Sequence, residues 1–135
     1  TLRTFDETTR ASIIDRMHTV LGGVCAAQGA QYTLTFSDYA PPVINHATPT
    51  ERLRAVASAV LGAPAVAAGP MMMVAEDMAE FLKRTPGCFF VLGAMPAGAA
   101  WAEPHHSPRF DIDEAALPLG AAILAGAAIA YLRQP

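Results

Sequence analysis

The densest grouping of residues able to do chemistry is Pro104-His105-His106-Ser107-Pro108-Arg109-Phe110-Asp111, with Glu103 just before it. A neutral imidazole ligates zinc and similar metals, and a nearby carboxylate orients its ring through the other nitrogen. Adjacent histidines in a loop are nevertheless more often solvated than ligating, so residue type alone favours the plainer reading. A second grouping is the acidic pair Glu76-Asp77, at what reads as the start of a short helix, where acids are favoured whatever the function. The third is Asn45 with His46, just past a Pro-Pro turn, where an asparagine side chain can satisfy turn backbone groups. Met71-Met72-Met73 has no Cys or His beside it, which points to apolar loop packing rather than a soft-metal site.

Other chemistries are absent by type or spacing. The sequence holds no glycine-rich phosphate loop, no Gly-x-Ser-x-Gly elbow and no paired-cysteine zinc pattern. Cys25 and Cys88 stand far apart in different apolar contexts, which predicts two buried, reduced thiols and a cytoplasmic setting. A formal net charge of -3, with nine basic residues scattered along the chain, gives no stripe to neutralise phosphates, so nucleic acid is not an expected partner. The first residues, Thr1-Leu2-Arg3-Thr4-Phe5, lack an initiator Met and the layout of a signal peptide, and read as the middle of a longer chain. The apolar run from Leu117 to Leu132 falls short of the roughly 20 residues that span a bilayer. It predicts a buried helix and no membrane.

These groups need elements to position them. With 53% hydrophobic residues, a chain of this length can bury a real core. Asp6 is the expected N-cap of a helix in which Ile13, Ile14, Met17, Val20, Leu21 and Val24 recur at helical spacing, and Gly29 stands where it should stop. Tyr32, Leu34 and Phe36 alternate with Thr33 and Thr35, which predicts a strand covering that helix. Asp38-Tyr39-Ala40-Pro41-Pro42 breaks regular structure, and a domain boundary is placed near Asn45. Thr48-Pro49-Thr50-Glu51 reads as a capping box opening a helix that carries Leu53, Val56, Ala57, Val60 and Leu61 as far as Gly62. A short helix is expected from about Ala75 to Arg84, then a buried strand at Cys88-Phe89-Phe90-Val91-Leu92. Ala94 to Ile112 has no periodic pattern, as functional loops often do not. A last helix should follow Asp113 and run to about Arg133. Strands alternating with helices make the expected class α/β.

Five blocks in order resemble one family: Arg3-Thr4-Phe5-Asp6; Tyr39 to Asn45; Met73-Val74-Ala75-Glu76-Asp77-Met78; Pro86 to Gly93; and His106-Ser107-Pro108-Arg109-Phe110-Asp111-Ile112-Asp113-Glu114. Together they are similar to metallopeptidase family twenty, in the branch holding hippurate hydrolase, N-acyl-amino-acid deacylases (aminoacylases) and the hydrolases of auxin conjugates. The resemblance implies an α/β architecture, the C-terminal part of a catalytic sheet domain preceded by half of a small α/β lid. Residues 1–45 would be the second half of the lid, or dimerisation, domain, and 46–135 the end of the metal-dependent catalytic domain.

The implied activity is hydrolysis of the amide in N-acyl amino acids by an enzyme holding two divalent metals, zinc or manganese. His106 maps onto the one family metal ligand within this chain, in a pattern His-any-Pro before an aromatic residue, while the other ligands and the general-base glutamate would lie upstream. No catalytic residue is therefore assigned here, and 135 residues alone are expected to be inactive. Asn45, Glu76 and Asp77 match positions near the substrate side of the family site. Val74 and Met78 depart from the Gly and Phe of the family's acidic block, and a side chain in place of Gly beside a substrate narrows the space available. A small-molecule N-acyl amino acid and a homodimer formed through the lid are the implied partners. The competing expectation is a truncated, non-catalytic binding or dimerisation module of the same fold.

Overall fold

The structure is a computed structural model that describes residues 1–37 and 40–133. Asp38 and Tyr39, which open the predicted proline break and one family-like block, lie outside the described residues. Contacts group the chain into two compact units: Thr1–Asn45 with Pro70–Gly87, and His46–Gly69 with Cys88–Pro135.

In the first unit, α1 spans Glu7–Gln28. Its start is set by Asp6, whose Oδ1 accepts from the Thr9 backbone N–H at 2.7 Å while Oδ2 accepts from the Thr9 hydroxyl at 2.7 Å. Its end is set by Gly29 in the left-handed region, φ 62°. The N–H of Ala30 reaches Cys25 O at 2.9 Å and that of Gly29 reaches Ala26 O at 3.4 Å, the paired bonds of a Schellman closure. The chain then turns back along the helix. The Tyr32 hydroxyl donates to the His18 carbonyl at 3.1 Å, and the Tyr32 ring passes the surface of Gly22. So the segment predicted to cover α1 does so at Tyr32, but it forms no strand.

The same unit holds α3, Met78–Leu82, shorter than the predicted span from Ala75 to Arg84. Ala79 and Leu82 are buried, and Gly87 closes against the latter, since a Cβ at Gly87 would stand 2.8 Å from Leu82 Cδ2. Met71, Met72 and Met73, expected to pack as an apolar loop, are exposed.

In the second unit, α2 spans Ala47–Leu61 and α4 spans Ala116–Leu132, with a single 3₁₀ turn at Ala63–Ala65. The start of α2 corrects the predicted capping box: His46, not Thr48, is the N-cap. Pro49 falls at the third helical position, where its missing N–H is still tolerated. Thr50 instead donates its hydroxyl to the His46 carbonyl at 2.7 Å. Helices α2 and α4 pack together through small residues, with Gly126 against Val56 and with Ala57 and Ile123 buried.

The expected α/β sheet is not formed: among the described residues the chain is helical and carries no strand. Tyr32 to Phe36 and Cys88 to Leu92 form neither helix nor strand, since a strand is defined by its ladder and no ladder forms among the described residues. The predicted burial fails for the same reason. Val91 is 58% exposed, and α4, apolar all round, buries Ala116 and Ile123 while Leu117, Leu124 and Ile129 face outward. Cys25 and Cys88 are free thiols as predicted, but half-buried. No described helix is long and apolar enough to cross a membrane.

Candidate functional site

The long loop before α4 is closed at its base, where the Asp113 N–H donates to Ala94 O at 2.9 Å. Asp113 also accepts from the Ala115 N–H through Oδ1 at 2.9 Å, fixing the turn that leads into α4. Inside this closure the chain makes two successive tight turns. The Ser107 N–H donates to Pro104 O at 3.1 Å and the Phe110 N–H to Ser107 O at 3.0 Å.

His106 is the third residue of the first turn and has φ 71°, the one positive φ outside glycine among the described residues. That combination is the pattern of a type II turn, which asks for a left-handed third residue and is ordinarily filled by Gly or Asn. A left-handed L-residue costs roughly 1–2 kcal/mol, so the surrounding structure must hold it. The turn leaves the His106 side chain exposed. His105 points its neighbour contact elsewhere, packing edge-on against Phe110 with ring centroids 5.1 Å apart.

Around this turn runs a polar network centred on Glu103, whose side chain is 20% exposed. Its Oε2 accepts from the Ser107 hydroxyl at 3.0 Å. Its Oε1 faces the Arg109 guanidinium at 3.0 Å and the Trp101 indole N–H at 3.4 Å. The Ser107 oxygen in turn accepts from the Arg109 backbone N–H at 3.2 Å. Sequence reading placed Glu103 beside the histidines but missed that it ties the whole loop together. The available signal was its position three residues before His106 and four before Ser107.

The other predicted site residues fall in the first unit. Glu76 has a structural task there, accepting from the Met78 N–H through Oε1 at 3.3 Å at the entry to α3. Asp77 is exposed at the N-cap of α3, with no capping bond from its side chain. Asn45 is exposed and is the last residue of its segment of that unit. A cleft of about 400 Å³ in the first unit, between the N-terminal residues, α1 and Phe36, contains none of the predicted site residues.

Among the described residues no three His, Cys, Asp or Glu side chains come together as a metal-holding group. The residues present therefore do not by themselves fit a metal centre: one exposed imidazole is offered where at least three protein ligands are the rule.

Residues 6–130 match the model of peptidase family M20/M25/M40. YhaA of Bacillus subtilis, whose name carries the word amidohydrolase, is 38% identical over 97% of this chain and 33% of its own length. Thermostable carboxypeptidase 1 of Saccharolobus solfataricus is 30% identical over 90% of this chain and 30% of its own. IAA-amino acid hydrolase ILR1-like 6 of Arabidopsis thaliana is 32% identical over 98% of this chain and 29% of its own. The chain thus spans about a third of the length of the curated relatives it matches. No solved structure matches it significantly.

Proposed function

The chain belongs to peptidase family M20/M25/M40, and from that premise we propose that it is the C-terminal part of a metal-dependent amidohydrolase that cleaves the amide of N-acyl amino acids. The observation that carries the reading is His106: an exposed imidazole held out at φ 71° by a tight turn, in the block Ser107-Pro108-Arg109-Phe110 that carries the family likeness. A backbone conformation this uncommon outside Gly and Asn is often stored where a side chain has work to do.

His106 would supply one nitrogen to a divalent metal, zinc or manganese, and the remaining ligands and the general base would come from polypeptide outside these residues. Such metals in pairs polarise an amide carbonyl and supply hydroxide. Glu76, Asp77 and Asn45 lie toward the substrate side. The names of two relatives, an IAA-amino acid hydrolase and an amidohydrolase, support an N-acyl amino acid as substrate. A carboxypeptidase among the relatives makes a short peptide the substrate to test beside it.

The α/β architecture, with a lid ending near residue 45 and a catalytic part from residue 46, belongs to the longer protein. Support comes from two segments of strand-like pattern that form no ladder among the described residues and from apolar side chains left outward on α1 and α4, among them Val20, Val24, Leu117 and Leu124. The longer enzyme acts as a cytoplasmic homodimer joined through the lid.

A second reading is a non-catalytic binding or dimerisation module of the same fold. The two are separated by expressing the whole reading frame that contains these residues and assaying release of amino acid from N-acetyl and N-benzoyl amino acids, with and without chelator. Chelator-sensitive turnover that falls at least a hundredfold in His106→Ala supports the enzyme. Turnover that ignores both chelator and His106→Ala, or no turnover with any N-acyl amino acid, rejects it.

A further inference from the structure

We infer that Glu103 is a positioning residue: its carboxylate clamps Trp101, Ser107 and Arg109 into one network that holds the Pro104–Ser107 turn closed and keeps His106 in its left-handed conformation. The inference rests on the reading of His106 given above only for its catalytic consequence; the clamp itself stands on geometry.

Three features converge on this one side chain. Glu103 and Ser107 are the half-buried members of the network, while Trp101 and Arg109 are exposed, and every other member bonds to the Glu103 carboxylate. Its two oxygens together take partners from both sides of the turn. Oε2 takes the hydroxyl of Ser107, the residue immediately after His106, and Oε1 takes the guanidinium of Arg109 and the indole of Trp101. Ser107 then passes the restraint onward by accepting from the Arg109 backbone N–H. Hydrogen bonds to a charged acceptor are the stronger kind, roughly twice a neutral pair. A carboxylate gripping both Ser107 and Arg109 therefore offsets the penalty of the left-handed residue between Glu103 and those partners. The backbone bond from the Ser107 N–H to Pro104 O closes the same turn, and the edge-on pair of His105 with Phe110 also brackets His106; Glu103 adds the charge-assisted side-chain bonds across it.

The sequence provides its own probe, because Trp101 is the single tryptophan. The test compares the full-length protein that contains these residues, with any tryptophan outside them replaced by Phe, with its Glu103→Ala, Glu103→Gln and Ser107→Ala variants, reading Trp101 fluorescence anisotropy and amide hydrogen exchange at Ser107. In Glu103→Ala the Ser107 amide should exchange at least tenfold faster and Trp101 anisotropy should fall, while amides of α2 and α4 stay within twofold of the parent. Glu103→Gln keeps an acceptor oxygen for Ser107 and should recover most of the protection. Should Glu103→Ala unfold the chain, Ser107→Ala removes only the hydroxyl and should loosen the turn on its own.

Unchanged Ser107 exchange and Trp101 anisotropy in Glu103→Ala, or in Ser107→Ala where the first variant does not fold, would overturn the clamp. In the full-length enzyme, Glu103→Ala should lower kcat at least tenfold with KM within twofold. A loosened turn with unchanged kcat would leave the clamp standing and count against His106 as a ligand.

Discussion

Gly126 lies so close to Val56 that a Cβ placed on the glycine would stand 2.7 Å from Val56 Cγ1. The α2 to α4 packing of the second unit is built on that approach, with Ile123 buried one turn earlier in α4. Two effects oppose each other when the glycine is replaced. Leaving Gly out of a helix interior gains about 1 kcal/mol, whereas forcing extra carbon into a packed contact costs about 1–3 kcal/mol. Gly126→Leu should therefore lower stability by up to about 2 kcal/mol, read by chemical denaturation, and Val56→Ala in the same chain should recover part of the loss. Gly120 is the contrast, since a Cβ there meets only the Leu92 side-chain tip at 3.2 Å. Gly120→Ala is expected to be neutral or stabilising.

Asp6 supplies the acid end of the stability profile. The hydrogen bonds from the Thr9 N–H and hydroxyl hold its carboxyl below the ordinary carboxylate value. A group whose folded pKa is depressed adds stability that is complete above its unfolded pKa, about pH 4, and loses it as pH falls through the lower folded value. The midpoint of thermal unfolding should fall with acidification through that window. Asp6→Ala should flatten the fall and lower the midpoint at neutral pH; Asp6→Asn should flatten it while keeping more of the midpoint, because the amide oxygen still caps α1.

What could be read ahead of the structure divides along the range of the interactions. Asp6 and Gly29 act within a few residues of themselves, and both ends of α1 are where those residues put them. The start of α2 moved from Thr48 to His46 because Pro49 fits anywhere in a first turn, so its presence does not choose a register. The strands were read from the alternation at Tyr32 to Phe36 and the apolar run at Cys88 to Leu92. Such patterns report which face wants cover and say nothing of who provides the hydrogen bonds. Among the described residues no ladder forms. At the candidate site the histidine is visible by type, but the left-handed turn and the Glu103 network depend on side chains two to six residues apart agreeing in space, which spacing alone does not reveal.

Glu76 offers a way to separate scaffold from chemistry. Its Oε1 accepts from the Met78 N–H at the entry to α3, and a capping acceptor of this sort contributes about 1 kcal/mol. Glu76→Gln preserves an oxygen at the same reach, so α3 should survive and thermal stability should change little, whereas Glu76→Ala should lose about 0.5–1 kcal/mol. In the full-length enzyme, a kcat/KM that drops more than tenfold in Glu76→Gln with stability intact would assign Glu76 a part at the substrate. Equal kcat/KM in the two proteins would leave it a cap.

His106 carries two demands at once, a backbone held at φ 71° and an exposed ring, and substitutions can be chosen to break one without the other. Asn tolerates the left-handed region, so His106→Asn should keep the Pro104–Ser107 turn and slow Ser107 amide exchange, while removing the imidazole. Val is β-branched and resists positive φ, so His106→Val should open the turn and raise Ser107 exchange at least tenfold over the Asn variant. If the ring is a ligand, both variants lose turnover in the full-length enzyme to a similar depth, because a well-placed turn without a donor nitrogen is as inactive as a lost one. If the residue serves only to shape the loop, activity should follow the turn: retained in His106→Asn and lost in His106→Val. The ordering of these two variants, read by turnover against amide exchange, decides between a ligand and a hinge.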